Sequence, residues 1–242
     1  MDIGIIIICV VGGYLFGSIS FARIITKIVA PDGKLESVEV PDLNTGGTVQ
    51  LKTVGATTAS MVLGAKFGGM IGILDIFKGF IPTLILRLVF PENPYFLFLG
   101  GAIVVGHIWP IYYRFRGGGG LSTALGTLLV LDPLGILICV ILSFVIGMFI
   151  LRDLPMIVLG GPILFIIWTA VRSGNWFYIF YSIFLNLVMF LAIIPDIRGY
   201  LKARKEGKVD MVNTMEYIPM GQMMKKMMDK MGLSDNKKGE KK

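Results

Sequence analysis

Long apolar stretches separated by short polar ones recur along almost the whole chain. Apolar residues run from Ile3 to about Ile28, Phe67 to Phe90, Tyr95 to Tyr113, Leu121 to Leu131, Leu134 to Leu151, Pro155 to Val171 and Phe177 to Ile194. A helix needs roughly 20 predominantly apolar residues to cross the hydrocarbon core. The pattern therefore predicts an all-α integral membrane protein of about seven transmembrane helices. The fourth run, between a glycine cluster and Asp132-Pro133, is too short to span unaided, so it is expected to be tilted, packed within the protein or extended past the proline. The first run opens with Asp2 instead of a basic segment and has no clear cleavage site, which reads as a retained helix.

Between the first and second runs lies a polar insertion, residues 31–53. Pro31, Asp32 and Gly33 are followed by alternating Val38 and Val40, then Asn44, Thr45, Gly46 and Gly47, then Val49 and Leu51. Alternation on either side of turn-forming residues predicts a short hairpin outside the lipid. The expected organisation is a polytopic membrane domain over 1–196, carrying this insertion, and a basic, methionine-rich cytoplasmic tail over 197–242. From Met211 to Met231 the tail alternates methionines with lysines, which fits an interfacial helix or a solubilising tail.

Composition sharpens the membrane reading: 55% of the 242 residues are hydrophobic and 16% charged. That excludes disorder, collagen and coiled coil for most of the chain. The formal net charge of +7 gathers mainly in the tail, without a nucleic-acid motif. Arg23 and Lys27, Arg114 and Arg116, Arg152 and the basic end after Asp196 alternate as inner ends, against Arg87 and Arg172. The expected orientation is N-terminus outside and C-terminus cytoplasmic, in the plasma membrane. With one histidine, and Cys9 and Cys139 set apart inside apolar runs, no metal or cofactor is expected.

The residues able to do chemistry fall near the inner helix ends. Gly106-His107-Ile108-Trp109-Pro110 leads through Arg114 and Arg116 to Gly117, Gly118, Gly119 and Gly120, then Leu121-Ser122-Thr123. Consecutive glycines entering a helix offer backbone N–H groups at the positive end of its dipole, where an anion binds. Two arginines beside them suit a phosphate. A flexible turn with positive-inside anchors fits the same residues. His107 can exchange a proton near neutral pH or sit as a hydrogen-bonded core histidine. Ser18, in Gly17-Ser18-Ile19-Ser20, is placed in the inner third of the first helix, where small residues also serve close packing. Asp75 and Lys78 share a face of the second helix at i,i+3 and are expected to pair. Gly55 and Thr57, ahead of that helix, offer a small residue and a hydroxyl, and Asp196 closes the seventh.

At these residues the sequence resembles the bacterial acyl-phosphate:glycerol-3-phosphate acyltransferases, small seven-helix membrane enzymes. The resemblance covers roughly residues 10 to 135, with a weaker match near 196. The family's Gly-Ser-Ile-Pro pattern corresponds to Gly17-Ser18-Ile19, with Ser20 for the proline. Its Gly-Ser-Gly-Asn-x-Gly-Ala-Thr-Asn pattern survives as Gly55-Ala56-Thr57, with Thr53 for the first asparagine and Thr58 for the last. Asp-x-x-Lys-Gly matches Asp75, Lys78 and Gly79. Gly-His-x-Phe-Pro and Phe-Lys-Gly-Gly-Lys-Gly match Gly106, His107, Pro110, Phe115, Gly117, Gly118 and Gly120; Trp109 replaces phenylalanine, Arg116 the first lysine and Gly119 the second. Asp196-Ile197 stands where the family has Asn-Ile, and the 31–53 insertion is longer than the usual link. These departures mark a divergent branch.

The resemblance implies transfer of a fatty acyl group from acyl phosphate to the 1-hydroxyl of glycerol 3-phosphate, giving lysophosphatidic acid for phospholipid synthesis without an acyl-enzyme. It implies catalytic roles for Ser18 and His107. Phosphate or substrate contacts are expected from Gly55, Thr57, Arg114, Arg116, Gly117, Gly118, Gly119, Gly120, Ser122 and Asp196, with Asp75–Lys78 as a supporting ion pair. The expected partners are acyl phosphate, glycerol 3-phosphate and membrane lipids. Another polyol-phosphate acceptor and a non-catalytic lipid-binding protein are the competing readings; a transporter fits less well, since no internal repeat is visible.

Overall fold

The structure is a computed structural model that describes residues 1–36, 38–41, 47–151, 154–207 and 219–230. The chain forms ten α-helices and one two-stranded sheet among these residues: α1 (Ile3–Gly17), α2 (Phe21–Val29), β1 (Val38–Pro41), β2 (Thr48–Leu51), α3 (Ala56–Leu63), α4 (Ala65–Val89), α5 (Tyr95–Ile108), α6 (Leu121–Leu131), α7 (Pro133–Val145), α8 (Leu154–Arg172), α9 (Trp176–Lys205) and α10 (Pro219–Lys230). Six segments are long and apolar enough to cross a membrane: Ile3–Val29, Ala65–Val89, Tyr95–Tyr113, Pro133–Leu151, Pro155–Arg172 and Trp176–Lys205, with Leu121–Leu131 as a shorter apolar helix. The seven expected segments are therefore six of span length and one short. Their outer faces expose Ile7, Ile8, Ile81, Leu88, Ile141, Ile150, Val171 and Phe180, the surface that lipid solvates in an integral membrane protein.

The first segment is not one helix. α1 starts at Asp2, whose carboxylate accepts from the N–H groups of Gly4 and Ile5, and it stops at Gly17. Ser18 caps its C-terminus and Ser20 caps α2, accepting from the N–H of Arg23. Ser18 thus lies at a break and not inside the continuous helix expected. Two capping-prone serines within three residues offer the backbone alternatives to continuing the helix.

α1 packs along α5 through glycines. A Cβ on Gly17 would lie 2.2 Å from the carbonyl oxygen of Ile103, and one on Gly106 would lie 2.2 Å from that of Tyr14. α4 packs on α6 in the same way, with Gly126 against Ile76 and Gly79 against Thr123. Small faces let backbones approach where hydrophobic burial supplies no drive between helices in lipid. Inside, Val104, Leu128, Ile136, Phe165 and Leu185 form the main core across α5 to α9.

α6 is the short helix. Eleven residues make a rod of roughly 16 Å, about half a hydrocarbon core of roughly 30 Å. It ends at Leu131 and does not run past the proline; Asp132 caps α7 instead, accepting from the N–H of Gly135 and from Trp168 Nε1 at 2.8 Å. Arg87 donates to the terminal carbonyls of Val130 and Leu131, and Arg172 Nε lies 3.7 Å from Asp132. The two arginines that ran against the charge rule are therefore helix-end partners.

The insertion forms the expected hairpin, with Val38 opposite Leu51 and Val40 opposite Val49; its Asn44, Thr45 and Gly46 lie outside the described residues, as does Arg152. Val49 packs on Tyr200 and Ala203 of α9. That docking extends α9 through Pro195 to Lys205, past the expected domain end at 196. Of the tail, Pro219–Lys230 is helical, while 208–218 and 231–242 lie outside the described residues.

Gly106→Ala is expected to cost about 1–3 kcal/mol through overpacking and lower the thermal midpoint in detergent. Gly12→Ala, where a Cβ meets nothing within 4 Å, is the control and leaves the midpoint within a few degrees.

Candidate active site

The break after α1 creates the polar centre of the molecule. Interrupting the helix frees carbonyls from their i+4 partners, and Lys78 of α4 takes two of them: Nζ donates to Gly17 O at 3.2 Å and to Ile19 O at 2.9 Å. The same ammonium lies 3.0 Å from His107 Nδ1 and 3.3 Å from Asp75 Oδ1, and that carboxylate oxygen is 3.5 Å from His107 Nδ1. Asp75 and Lys78 are 2% and 3% exposed. Isolated ions at such burial are very costly, and mutual pairing offsets part of the cost, although Asp75 Oδ1 makes no hydrogen bond among the described residues.

A protonated Lys78 has donors only, so opposite it Nδ1 accepts and the ring proton is assigned to Nε2. Nε2 faces the tetraglycine segment: a Cβ on Gly118 would lie 2.3 Å from it. Only glycine at 118 leaves the imidazole edge room to meet a ligand there. The segment folds over His107, with the Gly118 N–H donating to His107 O at 3.2 Å. It is reached through a turn in which Arg114 and Phe115 have φ of +53° and +59°, a left-handed backbone that non-glycine residues adopt at a cost.

Of the expected loop donors, the Gly118 N–H is thus spent internally. Gly120 caps α6 with φ of +85°, and no hydrogen bond occupies the N–H groups of Gly119, Gly120 and the first turn of α6 among the described residues. Gly117, Gly118 and Gly120 are buried and Gly119 half-buried, so the loop is recessed in the protein. Opposite it stands the N-terminus of α3. The Val54 N–H donates to Gly117 O at 2.7 Å, and a Cβ on Gly55 would lie 3.5 Å from Gly118 Cα. Ser122 stands across α4 from Ala56, both within 4 Å of the Cβ position at Gly72. Two helix N-termini and the Nε2 edge of His107 thereby approach the same recessed loop, an arrangement suited to an anion.

Ser18 is 0% exposed and fully engaged: Oγ donates to Tyr14 O at 2.8 Å and accepts from the Ile111 N–H at 3.3 Å. It ties the α1 break to the turn after Pro110, helped by Tyr14 Oη donating to Trp109 O at 2.9 Å. Other expected residues stand apart from the recess. Thr57 is exposed, while buried Thr58 caps α3 by accepting from the Gly55 N–H at 3.0 Å. Arg114 and Arg116 are exposed at the rim. Asp196 spends both oxygens on the exit of the hairpin, accepting from the Lys52 N–H at 2.6 Å and Thr53 Oγ1 at 2.8 Å. Thr53 and Asp196 are two positions where the sequence departs from the family pattern, and here they are one contact. Sequence reasoning missed Arg23, whose Nη2 donates to Arg116 O at 2.8 Å; its charge had served only to orient the chain. Thr123, buried without a hydrogen-bond partner for Oγ1 among the described residues, was also missed.

The family model described as glycerol-3-phosphate acyltransferase matches residues 7–203. A glycerol-3-phosphate acyltransferase of Aquifex aeolicus (strain VF5) is 38% identical over 125 residues, 51% of this chain and 58% of the relative. One from Myxococcus xanthus (strain DK1622) is 38% identical over 122 residues, 50% of this chain and 57% of the relative. The chain thus spans little more than half the length of these curated relatives. A crystal structure of PlsY (YgiH), an integral membrane glycerol 3-phosphate acyltransferase, in its glycerol 3-phosphate form, has a TM-score of 0.65 and 28% identity, covering 82% of this chain and 93% of that chain. Its lysophosphatidic acid form gives the same values.

Asp75→Asn leaves the Lys78 ammonium without its counter-ion and is expected to destabilise the protein by about 3–5 kcal/mol. Adding Lys78→Met should recover part of that loss, read as the thermal midpoints of the single and double variants.

Proposed function

The chain belongs to the glycerol-3-phosphate acyltransferase family, and from that membership we propose that it transfers a fatty acyl group from acyl phosphate to the 1-hydroxyl of glycerol 3-phosphate. The hydroxyl oxygen attacks the acyl carbon, the bond to phosphate breaks, and phosphate leaves with the bonding electrons and the hydroxyl proton. The products are lysophosphatidic acid and inorganic phosphate. The observation that carries this reading is His107 Nε2 facing the tetraglycine segment while Lys78 and Asp75 hold the other side of the ring. A recess so built stabilises negative charge on a phosphate or on the carbonyl oxygen as it develops, the effect acyl transfer to an alcohol most needs. Phosphate as leaving group makes a covalent intermediate unnecessary.

In this reading Gly117, Gly118, Gly119, Gly120 and Ser122, with Gly55 opposite, border the anion, exposed Thr57 stays outside it, and Arg114 and Arg116 draw it in from the rim. His107 donates through Nε2. Ser18 orients the Pro110–Ile111 turn and thereby the loop, and becomes available to substrate when its Ile111 contact opens. Asp196 holds the insertion against the site. We place the protein in the plasma membrane with its N-terminus outside and its C-terminal tail in the cytoplasm, which the alternation of basic helix ends supports. Residues 1–196 then make the catalytic domain, with the turns of α9 beyond it joined to the tail. The acceptor draws one alternative from the site itself: a Cβ on Gly119 would meet only Ile193 Cγ2, at 4.0 Å, where the family carries a lysine. Without that cation, acceptors other than glycerol 3-phosphate compete on closer terms.

Purified protein supplied with palmitoyl phosphate and glycerol 3-phosphate should yield lysophosphatidic acid, and palmitoyl coenzyme A in its place should not. His107→Ala is expected to lower kcat about 10²- to 10⁴-fold, and Ser18→Ala to suppress turnover as well. Full activity in either folded variant removes that residue's assignment.

A further inference from the structure

A second polar site lies beside the glycine loop, and no residue of the motifs above except Arg116 belongs to it. α2, the start of the insertion and the turn after α5 enclose a cleft of about 680 Å³ whose walls include Arg23, Thr26, Lys27, Lys34, Glu36 and Arg116. Four cations thus face a single carboxylate. The volume is in the range that small molecules occupy.

The walls are fixed yet incompletely satisfied. Arg23 is clamped by an ion pair with Glu36, by its bond to Arg116 O at 2.8 Å and by the Tyr113 ring 4.8 Å beneath its guanidinium. Two buried polar atoms of this wall, Arg23 Nε and Thr26 Oγ1, have no hydrogen-bond partner among the described residues. Thr26 is 3% exposed. Leaving such groups unpaired costs about 1–3 kcal/mol each, so this wall carries two donors without a use in the protein. The local field is strongly positive: the hydrogen bond from Arg23 holds the Glu36 carboxyl below its ordinary range, and the charges of Arg23, Arg116 and Arg114 add to it.

We propose that this cleft is a phosphate-ester subsite, in which Arg23 and Lys34, with Thr26 beneath them, hold the phosphate of the polyol-phosphate acceptor and so supply the positive charge that the loop lacks at Gly119. The inference rests on the acyltransferase reading. Its chemistry is that of a phosphate monoester dianion, which needs several converging donors. Its position suits the task, since Arg116 borders the cleft on one side and enters the glycine segment on the other. Glu36 occupies the guanidinium in the absence of ligand and yields it to the incoming anion. The long insertion thereby gains a role, contributing both Lys34 and Glu36.

The test uses full-length protein in detergent. Lys34→Gln, at an exposed position, should raise the KM for glycerol 3-phosphate about tenfold, the loss of one charge-assisted contact, leaving kcat and the KM for acyl phosphate unchanged. Thr26→Val should raise it less. Glu36→Gln should lower it, because the competing carboxylate is gone; a merely structural role gives no such opposite sign. Calorimetric titration with glycerol 3-phosphate and with inorganic phosphate reads the cleft without turnover. Weaker binding to Lys34→Gln in a preparation that shows no acyl transfer overturns the activity and keeps the subsite. Unchanged binding and KM in Lys34→Gln overturns the subsite and leaves the activity standing. If Lys34→Gln loses affinity for nanodiscs containing phosphatidic acid but not for the soluble phosphates, the ligand is a lipid headgroup and the acceptor assignment is overturned.

Discussion

An ammonium buried in a membrane protein needs acceptors, and in this fold the acceptors come from a helix that stops. Lys78 reaches the carbonyls of Gly17 and Ile19, groups that a continuous first helix would have used for itself. The break at Ser18–Ser20 therefore makes the buried cation tolerable, and the cation makes the break tolerable in turn. His107 and Asp75 join the same cluster. The imidazole is consequently held from one side, leaving its other nitrogen to face the glycine segment.

Close backbone packing transmits that constraint outward. Gly17 and Gly106 bring α1 against α5, so the break and His107 stand at the same level. Gly79 and Gly126 do the same for α4 and α6, setting Asp75 and Lys78 beside the N-terminus of the short helix. The far end of that helix is closed by Arg87 on its last carbonyls. A half-length helix with one end capped by a guanidinium and the other by glycine is stable only inside such a bundle.

Much of this was legible in the sequence because lipid demands long apolar runs, and the runs mark the helices. The hairpin was legible from Val38–Val40 alternating with Val49–Leu51, and the Asp75–Lys78 contact from i,i+3 spacing. The break in α1 was not: every residue from Phe16 to Ala22 is compatible with a helix, and the deciding partner, Lys78, lies some 60 positions away. Capping serines at 18 and 20, one of them where the family has proline, were the local signal. Arg23 was misjudged because a cation at a helix end has an ordinary explanation, and only the folded insertion brings Glu36 and Lys34 opposite it. Asp196 reads from sequence as a substrate contact, while its bond to Thr53 joins positions far apart in the chain and shows only in the fold.

The shortness of α6 ties the recess to bilayer thickness. With its far end anchored by Arg87 and Asp132, the depth of the glycine segment below the opposite interface is whatever the hydrocarbon exceeds that half-span by. A thinner membrane brings the recess toward water, and a thicker one sinks it. Access for water-borne molecules is in that sense a property shared between the protein and the lipids around it.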